Sequence, residues 1–308
     1  MKYFNKFLFF IVFAVFILFV FPSCITTEAE DGGRLKITAT LFPQYDFAKI
    51  IAGDKAAVSL ILPPGIESHG FDPKPSDILA INNSDIFIYT GKDMEPWSET
   101  IIKGVNNKNL IIADCSSGIE FLHHSDEDYN HDHGADPHIW LNPENAVIIV
   151  KNILAAIISK DPENSDYYNR NAEDYIKKLQ KLDEDISEAV ESSKRRTIVF
   201  GGRFAYIYFL ERYNLDYITA YDSCSAYSEP GALRIAQVID FIDKNNIACI
   251  YHEELSEAKI AKSIASQTNI ETLRFSTAHN ITKSEFENGV TFLDVMYANL
   301  ENLKKGLN

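Results

Sequence analysis

Apolar positions along this chain fall into short continuous runs and longer runs with helical spacing. Residues 36–40, 57–61, 86–89 and 110–114 are short, β-prone and largely apolar. Stretches around 44–51, 76–82 and 97–105 separate them and read as helices. Such a βαβ rhythm predicts a mainly parallel sheet with helices on both faces. It recurs after Arg196, with strands predicted at 197–200, 217–221, 247–251 and 272–275 and helices at 204–213, 230–244 and 258–267.

One long helix is predicted between the two series. Tyr168, Ala172, Tyr175, Leu179, Leu182, Ile186 and Ala189 follow one another in alternating steps of four and three, a single apolar stripe. Glu173, Lys177, Lys178, Lys181, Asp183 and Glu184 occupy the other faces. A coiled-coil seam would look similar, but three heptads inside an α/β chain are better buried against their own lobes. The expected fold is therefore α/β: two lobes of mainly parallel sheet flanked by helices and joined by one long rigid backbone helix. The expected division is an N-terminal lobe at 35–164, the linking helix at 165–193 and a C-terminal lobe at 194–308.

The first residues set the compartment. Lys2 and Lys6 precede an apolar run over 7–21, shorter than the ~20 residues that span a bilayer, and a break at Pro22-Ser23-Cys24. This is the pattern of a secretory signal over 1–23. Ser23-Cys24 resembles the cleavage box of bacterial lipoproteins, although Phe21 and Pro22 depart from its usual residues. The resemblance implies a lipid on Cys24, a polar tether over 24–34, and attachment to a membrane face outside the cytoplasm, or a periplasmic location. A formal charge of −15 argues against nucleic acid as a partner and is compatible with a cation as ligand. Beyond Cys24 only Cys115, Cys224 and Cys249 remain, too few for a disulfide framework, and no Cys-x-x-Cys pair offers a thiolate metal site. Which of the three might pair, their spacing does not say.

Histidine is the residue type with chemical promise. In open α/β sheets, ligands collect beyond the carboxyl ends of the strands. His69 lies in such a loop, between Pro63-Pro64-Gly65 and Pro73-Lys74-Pro75, with Ser76 expected to cap the next helix. His138 lies in Asp136-Pro137-His138-Ile139-Trp140-Leu141-Asn142-Pro143, where Asn142 and Pro143 open a helix. No His-Glu-x-x-His, nucleophile elbow or phosphate loop is present, so binding is expected rather than catalysis; a metal-dependent hydrolase is the remote alternative.

The loop around His69 and the string around His138 resemble two signatures of the zinc- and manganese-binding receptor proteins of metal ABC importers. The acidic, histidine-rich segment 123–133 is similar to a loop of the zinc-preferring members, and 206–215 is similar to their aromatic helix. The likeness runs from about Leu35 to the C-terminus. It implies one divalent metal between two lobes, zinc with manganese as the alternative, and delivery to the membrane permease of an ABC importer by a monomeric receptor. It also implies His69 and His138 as the first two ligands. The family's remaining ligand slots fall on Arg203 and at or near Ser276, and arginine has no lone pair to give. Glu229, after the strand predicted at 217–221, is the first candidate for the third ligand, and His279 for the fourth. His252 and Glu253 lie at the same edge. Arg203 raises a rival, a receptor of the same architecture for a metal chelate or small anion, with Arg203 paired to Glu229 or Glu253 when empty.

Overall fold

A computed structural model describes residues 33–123, 135–221 and 230–308. Cys24, Cys224, Glu229 and all but the first residue of the 123–133 segment lie outside the described residues. Two four-stranded, all-parallel sheets form the frame. The first contains β1 (Leu35–Ala39), β2 (Ala56–Leu60), β3 (Ile86–Tyr89) and β4 (Ile111–Asp114), in the order β2-β1-β3-β4. The second contains β5 (Thr197–Phe200), β6 (Asp216–Thr219), β7 (Cys249–His252) and β8 (Glu271–Arg274), in the equivalent order β6-β5-β7-β8. β3 and β5 match their predicted bounds and the other six strands differ by one or two residues, because a pattern of apolar residues marks burial rather than where ladder hydrogen bonds stop.

The helices are α1 (Phe42–Ala52), α2 (Pro75–Asn82), α3 (Ser98–Gly104), α4 (Pro143–Lys160), α5 (Ser165–Glu191), α6 (Ile207–Arg212), α7 (Ala232–Asn245), α8 (Lys259–Thr268), α9 (Lys283–Glu287) and α10 (Phe292–Leu307). Asn142 caps α4 as expected, its side chain accepting from the Glu144 amide at 2.9 Å. Ser76 does not cap α2. Pro75 already occupies its first turn, and the Asp77 carboxylate accepts from the Lys74 amide at 2.8 Å instead.

The linking helix α5 is 27 residues long, and every member of its predicted stripe is buried. That stripe packs on α1 and α4 from the first lobe and on α10 from the second. One apolar core runs through both lobes, from Ile37 and Phe47 through Leu179 and Leu182 to Phe200 and Phe275. Leu35–Asn308 is accordingly one compact unit. Close-packed interiors have low compressibility, so this shared core ties the two lobes together. Cys115 and Cys249 are buried free thiols, not a pair. Among the described residues no helix is long and apolar enough to cross a membrane.

Candidate metal centre

The loops after β2, β4 and β8 converge at the carboxyl ends of the strands, and each brings one histidine. His69 Nε2 lies 3.2 Å from His138 Nε2 and 3.2 Å from His279 Nε2. The three rings meet edge to face, with centroids 4.6–5.2 Å apart. Two nitrogens bound to one tetrahedral zinc at ~2.0–2.1 Å would lie about 3.3 Å apart, so the observed spacing is that of ligands sharing an ion. Among the described residues His69, His138 and His279 form the group able to hold a metal.

What stands behind each ring differs. His138 is fully buried, and its Nδ1–H donates to Asp136 Oδ1 at 2.8 Å; the same oxygen accepts from the His138 amide at 2.9 Å. His279 Nδ1 donates to Thr277 Oγ1, whose own proton goes to Glu254 Oε1 at 2.5 Å. Glu254 Oε2 accepts from the Thr277 amide at 2.6 Å. Burial alone would raise the Glu254 carboxyl, but hydrogen bonding and charge from His279, with bonds from Thr277, bring it to about 2. Both rings are thus fixed in the tautomer that turns a bare Nε2 toward the cluster, the arrangement that orients a metal ligand and raises its basicity. Burial first, then the neighbouring His279 and His138 and, more weakly, Arg203, push His69 down to about 2. At neutral pH His69 therefore has a lone pair to give.

Segment 275–281 is stitched to the first lobe. Trp140 Nε1 donates to the Thr277 carbonyl at 2.8 Å, Asn280 Nδ2 donates to the Pro63 and Ile66 carbonyls at 2.7 and 3.0 Å, and the Phe42 amide donates to the His279 carbonyl at 3.3 Å. Ala278, at φ 55°, takes the left-handed backbone that returns the chain between Thr277 and His279. Trp140 lies edge-on to both the His138 and His279 rings.

His279, ranked as a fourth ligand by sequence, holds the third position of the cluster in the structure. Glu229, ranked third, is outside the described residues. Ser276 Oγ accepts from the Ala278 amide at 3.1 Å and closes the turn. His252 directs Nδ1 to the Glu253 carbonyl at 2.9 Å and is not part of the cluster. Glu253 Oε2 accepts from the Arg203 amide at 3.2 Å. A Cβ at Gly202 would come within 1.7 Å of that carboxylate, which would have to move to admit a side chain there. The Arg203 guanidinium pairs with Glu67 at 3.0 Å, a partner the sequence did not suggest, while Glu229 lies outside the described residues. The sequence signal for the supporting groups was faint: Glu254 and Thr277 are ordinary polar residues until folding buries them together.

Two helix-bridged α/β lobes with a ligand pocket at their facing strand ends define a solute-binding protein. The family model for ZnuA, the periplasmic zinc-uptake complex component A, matches residues 37–306, and the chain belongs to that family. It is 31% identical over 309 residues to the high-affinity zinc uptake system protein ZnuA of Bacillus subtilis, covering 97% of this chain and 96% of that one. It is also 31% identical to the zinc-binding protein AdcA of Streptococcus pyogenes serotype M18, covering 92% of this chain but only 59% of that relative's length. Among solved structures, it resembles the metal-dependent lipoprotein YcdH of Bacillus subtilis with a TM-score of 0.78 at 31% identity, covering 89% of this chain and 99% of that one. The Zn(II)-bound ZnuA-like domain of Streptococcus pneumoniae AdcA gives a TM-score of 0.77 at 28% identity, with the same coverage.

Proposed function

We propose that this protein captures one zinc ion through the Nε2 atoms of His69, His138 and His279 and delivers it to the permease of an ABC importer outside the cytoplasm. The observation that carries this reading is the pair of 3.2 Å Nε2–Nε2 separations, with the other two ring nitrogens of His138 and His279 backed by buried acceptors. Three neutral imidazoles form a borderline-soft donor set, which suits zinc better than manganese, an ion that prefers oxygen. The process is capture and release, with no bond made or broken in the cargo. Fourfold coordination needs one more donor. Glu229 is the candidate from sequence, and water is the substitute. A lipid on Cys24 would keep the receptor near its permease.

Equilibrium dialysis with metal analysis tests the ligand set. Alanine at His69, His138 or His279 should each reduce zinc affinity by at least a hundredfold, whereas alanine at His252 should leave it unchanged. Undiminished zinc binding by the His279→Ala variant would refute the assignment. Glu229→Gln separates the two options for the fourth position, since only a carboxylate ligand makes that change costly.

A further inference from the structure

Two of the three imidazoles are anchored by buried carboxylates, and the third is held differently. His69 sits in the loop between β2 and α2, and Glu67 organises the backbone around it. Glu67 Oε1 accepts from the Ser68 amide at 3.0 Å, from the Ser68 hydroxyl at 3.4 Å and from the His69 amide at 3.3 Å. The other oxygen, Oε2, meets Arg203 Nη1 at 3.0 Å. Arg203 belongs to the opposite lobe, in the turn after β5, and its own amide is held by Glu253. Glu67 and Arg203 line the same cleft as His69 and His279. One carboxylate therefore grips the backbone of a ligand loop with one oxygen and the far lobe with the other.

We propose that the Glu67–Arg203 ion pair is a latch that positions His69 over the two fixed imidazoles and sets how fast the metal leaves. The proposal rests on the three-histidine reading of the site. Because a common core welds the lobes together, release is better served by a moving loop than by a hinge. His69, the most exposed of the three ligands, is on such a loop. Opening the pair lets the loop carry His69 away from His138 and His279, leaving the ion with two protein imidazoles. Losing either residue therefore opens the latch, and losing both opens it no further. Both are positioning residues, outside the group of three histidines.

The shared interaction gives the test a signature. Zinc dissociation from the full chain into excess chelator is followed for the unsubstituted protein, Glu67→Gln, Arg203→Gln and the double variant. Glutamine at 67 keeps an oxygen for the Ser68 and His69 amides, so the loop backbone retains its acceptor. The pair is partly exposed, and such pairs contribute up to about 1 kcal/mol, a factor of roughly five. Arg203→Gln and Glu67→Gln should each release zinc about threefold to fivefold faster. The double variant should match either single variant, since all three lose the same interaction. Denaturation of the four metal-free proteins separates a latch from a general loss of stability, which would follow the number of substitutions. A Glu67→Gln rate within twofold of the unsubstituted protein, or a double variant nearer the product of the two single effects than Arg203→Gln alone, overturns the latch while leaving the ligand set intact. Failure of the unsubstituted protein to bind zinc one to one overturns both.

Discussion

Replacing Asp136 with asparagine should weaken zinc binding tenfold to a hundredfold without unfolding the protein. Asp136 Oδ1 accepts from both the amide and Nδ1–H of His138, at 2.9 and 2.8 Å, and both side chains are 0% exposed. An asparagine oxygen in the same place preserves both hydrogen bonds and removes the negative charge. The imidazole then loses the partner that makes Nε2 a better electron-pair donor and that stabilises the positive charge shared with a bound ion. Loss of such an outer partner typically costs 10–100-fold in metal affinity, or about 1.4–2.7 kcal/mol. Alanine at 136 should behave differently, since it also strands two buried donors at about 1–3 kcal/mol each and lowers the stability of the metal-free protein. Competition with a chromophoric chelator at fixed pH and salt measures the affinities, and urea denaturation of the metal-free variants provides the control. An Asp136→Asn protein with zinc affinity within twofold of the original would refute the claim that this carboxylate tunes His138.

Other consequences can be measured alongside. Leu182→Ala, in the middle of the α5 stripe at 0% exposure, should destabilise the whole unit by about 2–5 kcal/mol in chemical denaturation, because its cavity opens in the core shared by both lobes. Glu95 is buried among Thr40, Thr90 and Gly91, which all donate to it. Burial outweighs those bonds and raises its carboxyl to about 7. The folded state therefore holds that proton more tightly than the unfolded chain. Its contribution to stability is fully present below the usual carboxylate range and is lost as pH rises toward about 7, by up to roughly 3 kcal/mol. Denaturation midpoints between about pH 5 and 8 should fall less steeply in Glu95→Gln than in the unsubstituted protein; equal slopes would rule out Glu95 as the source.

The architecture was largely legible in the sequence because its signals are local. Short apolar runs alternate with helical ones, and the stripe from Tyr168 to Ala189, set inside an α/β chain, is better buried against its own lobes than in a coiled coil, so two parallel sheets and a bridging helix follow from periodicity. His69 and His138 were legible too, as histidines in proline-bracketed loops at the strand ends. Tertiary structure decided which residues join them. His279 ranked below Glu229 on paper because no short-range pattern records that Trp140, Asn280 and Phe42 fasten 275–281 to the other lobe. The partners of Arg203 were equally hidden. Its pairing with Glu67 spans 136 positions, and such contacts depend on how the two lobes pack. Periodicity reports what a residue buries. Coordination depends on where distant loops meet, which packing across the shared core fixes.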